Sequence, residues 1–247
     1  MPQLSCVNLT LGYEGETVVS GLTFEVNAGD YLCIVGENGS GKTTLMKAIL
    51  KLISPVSGKI LTGDGLGPGE IGYLPQQTAA QRDFPASVRE IVRSGCLNQR
   101  GLRPFYNKAE KQSAEENMIK LGITDLSKRC FRELSGGQQQ KTLLARALCA
   151  ARKILLMDEP AAGLDPKASA ELYALTERLN AAGVTIIMIT HDIAAAVKYS
   201  THILHIGAHT PEFFGTRVDY IKSGAGRIYA GAACGGTVGA ENGRYIL

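Results

Sequence analysis

The sequence predicts an α/β fold: a mainly parallel sheet, an N-terminal antiparallel β subdomain and an inserted α-helical subdomain. Three observations predict it. Tyr31–Val35, Ile154–Met157 and Val184–Thr190 are apolar runs without polar alternation, the pattern of strands buried on both faces of a parallel sheet. Each is followed by a loop and a segment of helical period. The first thirty residues instead alternate in short runs broken by turns.

The elements follow in order. Leu4–Leu11 and Val18–Val26 read as strands separated by a turn at residues 12–15 and closed by Asn27–Asp30. The buried strand Tyr31–Val35 leads through a glycine-rich loop into a helix, Lys42–Leu52, that ends before Ser54-Pro55. Gly58–Leu74 returns to short strands. At Ser87 the period changes: Ser87-Val-Arg-Glu90 has capping-box spacing, and Val88, Ile91 and Val92 share one helical face. Lys108–Leu121 reads as a more polar helix. Residues 78–150 therefore form the helical insertion. The α/β pattern resumes at Ile154, with a helix over Lys167–Ala181. Residues 1–222 form one domain. Ser223–Leu247 is glycine-rich without a clear period and reads as a flexible or loosely docked tail.

Composition narrows the function. The chain has 247 residues, a formal net charge of +3 and 45% hydrophobic residues, which fits a globular protein and argues against disorder. Its basic residues are scattered, so nucleic acid is not expected as a partner. No N-terminal signal and no apolar run of membrane-spanning length is visible. Cys6, Cys33, Cys96, Cys130, Cys149 and Cys234 form no CxxC pair and read as reduced thiols. His202, His205 and His209 could share a helical face, but Ile203, Leu204 and Ile206 favour a strand and structural histidines.

Three motifs carry chemistry. The first spans Gly36, Glu37, Asn38, Gly39, Ser40, Gly41, Lys42 and Thr43, followed by Thr44. It fits GxxxxGK[ST] and sits between strand and helix, where backbone N–H groups and the helix dipole face phosphate oxygens. Lys42 would reach the β- and γ-phosphates of ATP, and Thr43 would bind Mg²⁺. The second is Ile154-Leu-Leu-Met-Asp158-Glu159, an apolar strand that presents two carboxylates beyond its C-terminal end. Asp158 can support Mg²⁺ and Glu159 can act as general base. The third is Leu134-Ser135-Gly136-Gly137-Gln138, where Ser135 and Gln138 have capping-box spacing. It predicts a second helix N-terminus able to meet an anion. One chain does not need both ends for one γ-phosphate, but two chains placed head to tail could use both.

With LSGGQ on the page, the sequence resembles the nucleotide-binding subunits of ABC transporters over about residues 3–220. That family implies a P-loop NTPase with a RecA-like sheet. By resemblance, Tyr13 matches the aromatic that stacks on adenine, and Gln76 matches the glutamine that touches Mg²⁺ and links the site to the transmembrane partner, with Gln77 as the alternative register. Asp165, in Gly163-Leu164-Asp165, matches the loop that crosses the dimer interface; it also reads as a helix cap before Pro166. His191 matches the histidine that contacts the γ-phosphate. The resemblance implies Lys42, Glu159 and His191 as catalytic, ATP and Mg²⁺ as cofactors, and Thr43, Gln76 and Asp158 around the metal.

The same resemblance implies a homodimer, transmembrane permease subunits, an extracytoplasmic substrate-binding protein and a cytoplasmic position on the inner face of the membrane. Chromosome-maintenance ATPases share LSGGQ but place a long coiled coil where residues 44–134 leave no room. A soluble ABC ATPase of an assembly machine, as in iron–sulfur cluster biogenesis, is the non-transport alternative. His202–Gly207, Phe213–Thr216 and Asp219-Tyr220 resemble the ending of zinc and manganese uptake ATPases; iron-siderophore or cobalamin import is the rival cargo.

Overall fold

A computed structural model describes residues 1–13, 16–63, 66, 70–77, 83–99, 103–151 and 153–233, the last four as backbone only. Two sheets form its frame. Strands β1 (Leu4–Tyr13), β2 (Glu16–Val26) and β4 (Ser57–Thr62) make an antiparallel sheet in the order β2-β1-β4. The larger sheet contains β3 (Tyr31–Gly36), β5 (Ile71–Leu74), β6 (Ile154–Asp158), β7 (Thr185–Ile189), β8 (His202–Ile206) and β9 (Pro211–Thr216). Its order is β5-β6-β7-β3-β8-β9, parallel except for β9.

The unalternating apolar runs are explained by burial on both faces. Tyr31, Cys33, Val35, Leu155, Met157, Ile186 and Met188 enter one core with the helices. Leu32, Ile34, Ile154, Leu156, Ile187 and Ile189 enter a second core against the antiparallel sheet. Side chains that alternate across the pleat therefore all meet apolar partners. The C-terminal ends of β3 and β6 emerge side by side with β7 between them, which is where the first two motifs lie.

Helix α1 (Lys42–Ile49) is shorter than expected. Lys51 adopts a left-handed conformation, φ 59°, and Leu52 N–H donates to Lys47 O at 2.8 Å, so the helix closes before Leu52. In the helical region, α2 (Val88–Ser94) and α3 (Lys108–Lys120) both begin with capping boxes, at Ser87–Glu90 and Asn107–Glu110. The second was not anticipated, although Asn followed by Glu at the third position is its signal. Helix α4 (Gly136–Ala150) completes the insertion. Pro166 is the first residue of α5 (Pro166–Ala181), with Asp165 as its cap.

Helix α6 (Ile193–Tyr199) precedes β8, and α7 (Arg217–Lys222) follows β9. The expected loose tail instead begins as α8 (Gly224–Ala233). Tyr229 lies 4.6 Å from the His205 ring, and Ala225 packs on the main core. This helix carries few side chains that report period, which hid it in the sequence. Residues 234–247, Cys234, the tip of the 12–15 turn at residues 14 and 15, and the expected start of the insertion at 78 lie outside the described residues. Among the described residues, no helix is long and apolar enough to cross a membrane.

The histidines take structural positions. His205 is buried and its Nδ1 lies 2.9 Å from the Tyr220 hydroxyl. His202 Nδ1 is 3.7 Å from Asp30, and His209 Nδ1 is 3.1 Å from Val18 O. No group of three or more metal-ligating side chains occurs among the described residues.

Candidate nucleotide site

The glycine loop turns directly from β3 into α1. Gly36, Gly39 and Gly41 have φ of 147°, 85° and 96°. At Gly36 a Cβ would strike the Ile206 carbonyl, so the loop requires glycine there on steric as well as conformational grounds. At Gly39 nothing lies within 4 Å of the place a Cβ would take, leaving the loop open to a ligand. Thr43 is exposed, Thr44 half-buried, and Glu37 and Asn38 are exposed at the loop tip.

Lys42 is folded back on this loop. Its Nζ donates to Gly36 O at 2.8 Å and Glu37 O at 2.6 Å. Burial lowers its pKa, opposed by the carboxylates of Glu159, Asp158 and Glu37. Ser40 Oγ is buried without a hydrogen-bond partner. A buried hydroxyl left this way is costly unless a ligand pairs it. Backbone donors, one ammonium and one orphan hydroxyl are the chemistry of an anion cradle, and ATP phosphates fit it.

Asp158 ends β6 with only 6% exposure. Burial raises its pKa, the neighbouring Glu159 raises it further, and Lys42 opposes both. Glu159 has φ 44°, a left-handed conformation costly for a residue with a side chain. Its N–H donates to Ile189 O at 3.0 Å, which ties the turn to β7. Gln76 Nε2 donates to Glu159 Oε2 at 3.1 Å, and His191 Nδ1 lies 3.7 Å from Oε1. Loop, carboxylate pair, Gln76 and His191 thus gather at one end of the parallel sheet. Gln77 turns away and donates to Gln139 Oε1 at 2.9 Å, tying this segment to α4. That link was not read from the sequence; adjacent glutamines give no signal of which one faces the site.

The third motif stands apart. Ser135 accepts from Gln138 N at 3.4 Å, and Ser135 N donates to Gln138 Oε1 at 3.0 Å. The reciprocal cap forms at the start of α4 as its spacing predicts. Ser135, Gly136, Gly137 and Gln138 line a cleft of about 570 Å³ with Gly163 and Asp165. No residue of the glycine loop, nor Asp158, Glu159 or His191, lines this cleft. Asp165 Oδ1 accepts from Ala168 N at 2.9 Å, so it is a cap in this chain. Tyr13, at the end of β1, is 63% exposed and its ring is open to solvent. A separate groove of about 430 Å³ runs between the end of α1, β5 and the insertion, lined by Leu52, Tyr73, Pro75, Gly95 and Arg146 among others.

Comparison with known proteins agrees with this geometry. Residues 19–162 match the ABC transporter family. A probable metal transport system ATP-binding protein of Chlamydia muridarum is 41% identical over 192 residues, covering 77% of this chain and 81% of that one. The manganese transport system ATP-binding protein MntB of Bacillus subtilis is 37% identical over 200 residues, covering 80% of each. The zinc uptake system ATP-binding protein ZurA of Listeria innocua is 34% identical over 206 residues, covering 81% of this chain and 80% of that one. Among solved structures, an ABC transporter described as of metal-chelate type, in an inward-facing conformation, superposes with a TM-score of 0.83 at 30% identity, covering 94% of this chain and 90% of that one. Since the family match runs from the strand before the glycine loop to the turn beyond Glu159, this chain belongs to the ABC transporter family, as an ATP-binding subunit that hydrolyses ATP.

Proposed function

We propose that two copies of this chain close head to tail around two ATP molecules and drive a membrane permease that imports divalent metal ions such as zinc or manganese. The observation that carries the shared site is the separation of two anion-ready helix N-termini. Lys42 and Ser40 serve one cleft, while Ser135–Gln138 faces another on the same chain. A second copy brings its Ser135 end to the phosphate that Lys42 holds.

Within that site, Lys42 leaves the Gly36 and Glu37 carbonyls to meet the β- and γ-phosphates. Ser40 Oγ finds its missing partner on a phosphate oxygen. Glu159 takes the proton of the attacking water at a carboxylate oxygen, and His191 contacts the γ-phosphate beside it. Tyr13 offers its open face to adenine. Thr43, Asp158 and Gln76 are the residues that would hold Mg²⁺, and their oxygen donors suit it. When bound, the ion neutralises charge developing on the phosphate oxygens. Asp165 lies beside the Ser135 turn, where the partner chain would cross.

The groove between Leu52, Tyr73 and Arg146 is the surface for the permease, reached from the nucleotide site through Gln76 and Gln77. That assignment places the chain on the cytoplasmic side of the membrane, with an extracytoplasmic binding protein delivering the cargo. The metal reading rests on the named functions of the Bacillus and Listeria relatives. Import of a metal chelate is the second reading, favoured by the metal-chelate type structure. Co-purification of the chain with a multi-helix membrane protein, followed by uptake in proteoliposomes, tests both. ATP-dependent entry of free zinc or manganese supports the first, and entry of the chelate alone supports the second. If neither enters and no permease co-purifies, the transport assignment fails.

A further inference from the structure

Two cysteines that the nucleotide chemistry does not use meet inside the helical insertion. Gly95 follows α2, and a Cβ there would lie 2.9 Å from Cys149 Cβ and would strike Arg146 O. Only a residue without a side chain lets the end of α2 approach α4 so closely. The next residue, Cys96, is consequently set against Cys149, and the two thiols are hydrogen-bonded to one another. Helix α3 closes the arrangement. Cys96 Sγ donates to Glu110 O at 3.7 Å, and Asn117 Nδ2 donates to Cys149 Sγ at 3.4 Å.

We propose that Cys96 and Cys149 are a reversible dithiol–disulfide site, which a peroxide oxidises so that the trailing end of α4 is stapled to the turn after α2. The chemistry distinguishes the two sulfurs. Donation from the Cys96 thiol and then from the Asn117 amide lowers the Cys149 pKa against the opposing effect of burial, whereas the Cys96 thiol is pushed up. Cys149 is therefore the attacking thiolate and Cys96 the resolving thiol.

The step balances. Cys149 sulfur attacks one oxygen of hydrogen peroxide, the O–O bond breaks, and Cys149 sulfenic acid and one water result. Cys96 sulfur then attacks Cys149 sulfur; the S–S bond forms, the S–OH bond breaks, and the leaving hydroxide takes the Cys96 proton as a second water. The two electrons lost by the sulfurs reduce the peroxide. Access is through the groove wall. Both thiols are buried, but Gly95, Ala147 and Ala150 line the adjacent groove with the smallest side chains available. Because α4 carries Ser135 at its other end, the staple acts on the helix that presents the third motif.

The test uses the purified full chain in its reduced form. It is exposed to hydrogen peroxide, alkylated, digested and mapped by mass spectrometry. The expected result is a peptide pair joined through Cys96 and Cys149, with loss of two titratable thiols per chain that dithiothreitol restores. Cys96→Ser should arrest the reaction at a Cys149 sulfenic acid trapped by a 1,3-diketone probe, a readout that a packing role would not give. The proposal is overturned if Cys96 and Cys149 remain alkylatable after unfolding while the more exposed Cys130 has reacted. It is equally overturned if Cys149 passes to the sulfinic acid in the native chain without a linked pair.

Discussion

The side-chain amide of Gln76 donates to Oε2 of Glu159 at 3.1 Å, and the other oxygen of that carboxylate lies 3.7 Å from His191 Nδ1. The candidate base is therefore aimed by two different segments before any ligand arrives. Its backbone is held in a left-handed conformation by the bond to Ile189 O. Strain of this sort persists only where the surroundings over-determine it.

Glu159→Gln keeps the shape and loses the charge. It should lower the hydrolysis rate by about 10²–10⁴-fold, the range expected for removing a general base. ATP affinity should stay within a few-fold, because the Lys42 and Ser40 cradle is untouched, and a closed dimer should accumulate with ATP on size-exclusion chromatography. Wild-type turnover in this variant would remove Glu159 from the role.

Asp158 links activity to stability. Its folded-state pKa is raised by burial and by Glu159. The folded chain thus holds this proton more tightly than the unfolded chain. Stability from this group is fully present below the ordinary value of 3.8 and declines as pH rises through the raised one. Asp158→Asn should therefore raise the thermal midpoint of the nucleotide-free protein at neutral pH while abolishing hydrolysis. The gain should shrink as the pH is lowered toward 3.8, which calorimetry across a pH series checks.

Lys51 bears a side chain at a helix end with φ 59°. Lys51→Gly should stabilise the fold by about 0.5–1 kcal/mol, since glycine adopts this region without the steric penalty. Urea unfolding should show a higher midpoint and an unchanged slope. A lower midpoint would mean that Lys51 makes contacts outweighing its backbone strain.

How much the sequence disclosed depended on how local the signal was. The Ser87 and Ser135 caps were legible because each cap is written within four residues, and both formed. The parallel sheet was legible from unalternating apolar runs, because burial on both faces removes the need for polar positions. The end of α1 was missed because the αL residue is a lysine rather than glycine. Helix α8 was missed because alanine and glycine carry no period; its docking depends on Tyr229 reaching His205 from a distant strand. At the site, the motifs named their residues, but the split of Gln76 toward Glu159 and Gln77 toward Gln139 is a property of the folded chain.

The central claim, one nucleotide site built from two chains, is tested most directly by comparing two mixed dimers. In one, Ser135→Arg and Glu159→Gln are on different chains; in the other, both substitutions are on the same chain and its partner is wild type. A shared site leaves one intact site in the first dimer and none in the second. Single-turnover ATP hydrolysis should accordingly be retained by the first dimer and lost by the second. Hydrolysis by the second dimer with none by the first would place each complete site within a single chain and contradict the account.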